Sequence, residues 1–122
     1  MAVLAIDHVQ LAMPIGGEAD ARAFYTQVLG LDEIAKPEGV LKLGGVWFTN
    51  GKVELHVGAD ADFRPARRAH PALVVDDLEA MLGRARNFGA EVVEAVQIPG
   101  RRRGFVYDPF GNRIELIKLE RR

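Results

Sequence analysis

Corresponding features of this chain recur at a nearly constant spacing, and that recurrence limits the folds open to it. His70 follows His8 by 62 residues, Gly89 follows Gly30 by 59, and Glu115 follows Glu54 by 61. Such an offset marks a duplicated unit. Each half reads as a strand, a helix and about three further strands, and a sheet that small cannot bury its inner face alone. The expectation is an α+β protein of two βαβββ modules, residues 1–58 and 69–120, within one domain spanning residues 1–122.

In the first half, Val3 to Met13 is strand-like, with His8 and Gln10 on the face shared by Ile6 and Ala12. Glu18 to Leu29 has helical spacing of Ala21, Phe24, Tyr25 and Val28, with Gly30 at the C-terminal cap. Strands are predicted at Leu31–Ala35, Val40–Leu43, Val46–Thr49 and Val53–Val57, the last entered through the Asn50-Gly51 hairpin signal. Gly58 to Ala69 connects the halves. The second half opens with a strand at His70, then a helix that Asp76 and Glu79 would start as a capping box and Gly89 would end. Strands at Glu91–Val96 and Gly104–Asp108 flank a basic P-G-R-R-R loop, and Asn112–Leu119 closes the chain.

With sixteen basic and seventeen acidic residues the formal charge is −1, which gives no field favouring nucleic acid or an anionic membrane. No segment has membrane-spanning length or the form of a secretory leader, so the expected location is cytoplasmic. The absence of cysteine excludes thiol nucleophiles, disulfides and thiolate metal sites. His, Asp and Glu remain as the metal-ligating side chains.

Glu115 stands among aliphatic residues in the final strand, on the face it shares with Ile117. A carboxylate there needs solvent or a positive partner. The repeat suggests one: His8 and His70 occupy equivalent opening strands, Glu54 and Glu115 equivalent closing strands, and a pseudo-two-fold arrangement would direct all four to a shared cavity. A single strand histidine more often has a structural role. Two imidazoles with one or two carboxylates form a hard nitrogen and oxygen site for one divalent ion, Fe, Mn, Ni, Co or Zn. His56 faces the same way as Glu54 and could serve as ligand, base or outer hydrogen-bond partner. Arg103 could grip an anionic substrate. Trp47 and Phe48 read as core.

The stretches I-D-H-V-Q-L-A at 6–12, F-Y-T-Q-V-L-G-L at 24–31, A-H-P-A-L-V-V at 69–75 and F-V-Y-D-P-F-G-N-R-I-E-L-I at 105–117 resemble the vicinal oxygen chelate superfamily, which includes glyoxalases and bleomycin-resistance proteins. The resemblance implies two βαβββ modules whose curved mixed sheet surrounds a central cavity, with metal ligands at His8, His70 and Glu115. It implies a small-molecule substrate, with Gln10, Arg103 and Phe105 as candidate contacts and Glu54 and His56 as candidate catalytic groups. It also implies a homodimer whose sites could draw on both chains. The expected activity is glyoxalase-like lyase or isomerase chemistry. Extradiol dioxygenase, fosfomycin-type transferase and non-catalytic ligand sequestration are the alternatives. Relatives with the dioxygenase and fosfomycin activities carry a tyrosine where this chain has Phe105, and the short region between Leu31 and Glu54 shows no evident glutathione-binding insert.

Overall fold

The computed structural model describes residues 1–120. Its elements run β1 (Val9–Met13), α1 (Glu18–Gln27), β2 (Asp32–Ile34), a 3-10 helix (Glu38–Leu43), β3 (Val46–Thr49), β4 (Glu54–Ala59), β5 (Ala72–Val74), α2 (Leu78–Phe88), β6 (Val92–Glu94), β7 (Arg101–Tyr107) and β8 (Arg113–Leu119). They form two four-stranded mixed sheets of the same topology, β1-β4-β3-β2 and β5-β8-β7-β6. In each, the first strand runs parallel to the last and the remaining pairs are antiparallel. The α+β architecture expected from the repeat is present.

Four boundaries differ from expectation for local reasons. Val3 to Ile6 is not part of a strand, because β1 finds its partner only from Val9↔Leu55 onward; Val3, Leu4 and Ile6 are left exposed. Val40–Leu43 is 3-10 helix, with no buried side chain to hold a strand and a Gly44-Gly45 break behind it. The second helix is capped by Asp77 and not Asp76, its carboxylate accepting the Ala80 N–H at 3.0 Å. Glu79 instead pairs with Arg102. Arg101 to Arg103 lie inside β7, not in a loop, since the hairpin with β8 continues to Arg101↔Leu119.

Alternation decides which faces are covered. Val46, Phe48, Leu55 and Val57 turn towards α1, while Leu116, Ile114 and Val106 join Leu82 and Ala85 of α2. The helix-covered faces merge into one core around Phe24, Tyr25 and Phe48, all fully buried. Each such side chain contributes about 1.5–3 kcal/mol by leaving water. Phe24 meets Phe88 edge-on at 5.9 Å, and the Arg84 guanidinium donates twice to the Val28 carbonyl, at 3.0 and 2.8 Å, where α1 ends. A cation at that helix terminus is favoured by the exposed carbonyls. Among the described residues, α1 packs against β2 and β3 and α2 against β6, β7 and β8, which leaves the opposite face of each sheet without a helix.

Gly45 is held tightly on the other side of module one. Its φ is +100°, and a Cβ there would lie 2.5 Å from the Val57 carbonyl oxygen. Its N–H donates to the Glu18 carboxylate at 3.0 Å, a bond that holds the Glu18 pKa below the usual carboxylate range. A lowered folded-state pKa means stability present above the unfolded value of about 4.3 and lost as pH falls through the folded value. Glu18→Gln is expected to lower stability at pH 7 by about 1 kcal/mol. It should also flatten the acid limb of a stability-versus-pH curve from urea titrations between pH 3 and 6.

Candidate functional site

The predicted site residues divide between the two uncovered faces. On sheet one, β1 presents His8 just before its start and Gln10 within it; β4 presents Glu54 and His56; β3 presents Trp47. The registers Gln10↔His56 and Trp47↔His56 put these residues side by side. His8 stacks on His56 at 4.0 Å, and His56 on Trp47 at 3.7 Å with an interplanar angle of 3°. That column leaves His56 only 3% exposed. His56 Nε2 lies 2.7 Å from a Glu54 carboxylate oxygen. His8 Nδ1 is bound to the Asp7 carboxylate at 2.8 Å, and among the described residues its Nε2 has no hydrogen-bond partner. Among the described residues, the Gln10 side chain bonds only to the Leu11 carbonyl, at 3.3 Å.

On sheet two, β8 presents Glu115, directly opposite Phe105 of β7 and Ala72 of β5. His70, just before β5, donates from Nδ1 to the Arg68 carbonyl at 2.6 Å, which turns Nε2 towards Glu115 Oε1, 2.9 Å away. The other oxygen, Oε2, accepts from Arg103 Nη1 at 3.1 Å. Arg103 is itself anchored by Nε to the Val96 carbonyl. Burial alone would raise the Glu115 pKa, but the contact with His70 and the hydrogen bond from Arg103 outweigh it and hold the carboxyl below its usual range. Glu115 thus has the partner its sequence context required. Phe105 packs edge-on to His70 at 5.3 Å.

Glu115, His70, Arg103 and Phe105 therefore meet in one cluster, and Glu54, His56, His8 and Gln10 in another. Among the described residues, no hydrogen bond, ion pair or ring contact joins the two clusters. Among the described residues, no three His, Asp or Glu side chains come close enough together to hold a metal ion. A metal can be tested against the donors that do meet. A ligand-to-metal distance of about 2.0–2.1 Å places two ligands at right angles about 2.9 Å apart, and His70 Nε2 and Glu115 Oε1 have that separation. The Arg68 carbonyl on Nδ1 and the guanidinium on Oε2 are outer contacts of the kind that fix metal ligands. His70 and Glu115 fit two of the required ligands, and His8 presents an unused Nε2.

Three residues of these faces escaped the sequence reading. Trp47 is not core: Val46 and Phe48 point inward, so period-two alternation already placed it with Glu54 and His56. Arg113, two residues before Glu115, shares its face by the same rule and lies over the Phe105 ring at 3.7 Å. Asp7 had no signal beyond adjacency to His8.

Comparison with known proteins agrees with the architecture. No curated protein sequence matches the chain. A glyoxalase family protein from Bacillus anthracis superimposes with a TM-score of 0.92 at 43% identity, covering 98% of each chain. TnmS3, an antibiotic binding protein from Streptomyces sp. CB03234, has a TM-score of 0.69 at 25% identity over 97% of this chain and 100% of its own. A variant of FosX, the fosfomycin resistance protein of Listeria monocytogenes, complexed with Mn(II) and 1S,2S-dihydroxypropylphosphonic acid, shares the fold. Its TM-score is 0.79 at 16% identity, over 98% and 95% of the chains. No helix among the described residues is long and apolar enough to cross a membrane. The family model of the Glyoxalase/Bleomycin resistance protein/Dioxygenase superfamily matches residues 5–116, and the chain belongs to that superfamily.

Proposed function

We propose that this protein is a divalent-metal-dependent enzyme with glyoxalase-like lyase or isomerase chemistry on a small substrate that chelates through adjacent oxygens. It would act as a homodimer whose site takes His8 from one chain and His70 and Glu115 from the other. The observation that carries this reading is the division of the donors. Two faces each hold an incomplete ligand set, and on sheet two His70 Nε2 and Glu115 Oε1 lie side by side, 2.9 Å apart. An isologous dimer that lays sheet one of each chain against sheet two of the other would complete two equivalent sites.

The bound ion would supply Lewis acidity, stabilising negative charge on a substrate oxygen. Arg103 keeps Glu115 ionised and in place, and the Arg68 carbonyl fixes the tautomer and ring plane of His70. Glu54 is the group suited to take a proton. It is partly exposed, and buried His56 holds one of its oxygens while the other stays open to a substrate. His56, clamped between His8 and Trp47, serves as its positioning partner.

Elemental analysis of purified protein reloaded with Fe, Mn, Ni, Co or Zn tests this reading. Near-stoichiometric metal is expected in the wild type, and Glu115→Gln should weaken binding about 100-fold or more. Wild-type protein that binds none of these ions would overturn the enzyme reading. It would favour ligand sequestration, the role that the likeness to an antibiotic binding protein supports.

A further inference from the structure

The positive charge on the uncovered face of sheet two is not balanced. Glu115 and Arg103 neutralise one another. Arg113, across from Tyr107 in the β7–β8 register, lies on the same face with its guanidinium stacked 3.7 Å over Phe105, while Arg103 approaches that ring at 5.6 Å. Arg113 Nε is buried without a hydrogen-bond partner, and among the described residues no carboxylate pairs with the side chain. Stacking on an aromatic ring accounts for the plane of the guanidinium but leaves its N–H edge unused. A partly desolvated cation with an orphaned donor is costly unless an anion meets it.

We propose that Arg113 is a specificity-determining residue that binds a carboxylate of the substrate, one separate from the chelating oxygens. Residues two apart on a strand are about 7 Å apart, so this carboxylate would lie one such step along β8 from Glu115. The substrate class is then an oxo or hydroxy acid bearing a second carboxylate. Nε is enclosed and closed to a ligand, so the contact falls to the two terminal nitrogens, whose forked N–H edge matches a planar carboxylate in a two-point contact, with Phe105 as the platform. This inference rests on the metal-centre reading for the chelating end of the substrate; the carboxylate contact itself uses only Arg113 and Phe105.

The test compares 2-oxoglutarate with 2-oxopentanoate, the same chain without the second carboxylate, by calorimetric titration of the manganese-loaded protein. A parallel nuclear magnetic resonance titration of metal-free protein uses glutarate. In the wild type, 2-oxoglutarate is expected to bind about 10- to 100-fold more tightly, the range of a charge-assisted contact. Arg113→Met should remove that preference while leaving 2-oxopentanoate affinity within about two-fold, and Arg113→Lys should retain part of it. Glutarate should perturb β7 and β8 resonances in the wild type and in Arg113→Lys but not in Arg113→Met. Metal binding with equal affinity for the two oxo acids would overturn the inference and leave the metal reading intact. Failure to bind metal would sink that reading, with the glutarate titration still deciding on Arg113. A dimer lost in Arg113→Met, with the oxo-acid preference unchanged in Arg113→Lys and in the residual dimer, would assign Arg113 to the second chain and overturn the proposal.

Discussion

Asp108→Ala is expected to unfold about 3–5 kcal/mol more easily than the wild type in urea titrations at pH 7, among the largest losses any single substitution here should cause. Asp108 is 4% exposed, and its carboxylate accepts four hydrogen bonds. Oδ2 takes the Tyr25 hydroxyl and the Asn112 side-chain amide, both at 2.7 Å; Oδ1 takes the N–H groups of Phe110 and Asn112 at 2.9 and 2.8 Å. Alanine would take this acceptor from all four donors, leaving the Tyr25 hydroxyl and the Asn112 N–H unsatisfied in the interior, and an unsatisfied buried donor costs about 1–3 kcal/mol. Tyr25 lies in α1 and Asp108 just beyond β7, so the bond joins the two modules. Asn112 adds a second tie, from its side-chain amide to the Ala12 carbonyl at 2.7 Å. Burial, and then the adjacent carboxylate, push the Tyr25 pKa well above its ordinary value, so the hydroxyl remains a donor throughout the neutral range. Tyr25→Phe, which orphans one acceptor position and no donor, should lose about 1–2 kcal/mol. A loss below about 1 kcal/mol for Asp108→Ala would mean that water reaches this network.

The same turn bears on function. The D-P-F-G-N segment at 108–112 sets the β7–β8 register, which places Glu115 opposite Phe105 and within reach of Arg103.

Much of this arrangement was legible because period-two and helical spacing act locally. The Val46/Phe48 and Ile114/Leu116 alternations identify core faces, and the repeat gives two sheets with identical strand order. Glu115 among aliphatics announced a paired carboxylate, and both its partners, His70 and Arg103, were among the candidates. What could not be read depended on neighbours distant in sequence. Strand β1 begins only at Val9 because that is where β4 meets it. Arg101–Arg103 become strand because β8 is long enough to pair with them. Among the described residues His8, Glu54, His70 and Glu115 do not meet at one point: equivalent residues in two modules share a site only if the modules face each other, and here they join through their helix-covered faces.

That division makes subunit mixing the most direct test of the central claim, a metal site built from two chains. His8→Ala and Glu115→Gln each remove a ligand from every site and are expected to bind almost no metal alone. Co-refolding them in equal amounts should yield heterodimers as about half of all dimers, each with one doubly altered site and one wholly native site. Elemental analysis after manganese loading should therefore recover about a quarter of wild-type metal in the mixture, with the recovered metal in the dimer fraction on gel filtration. Recovery of none, when the wild type binds metal stoichiometrically, would contradict a site shared between chains.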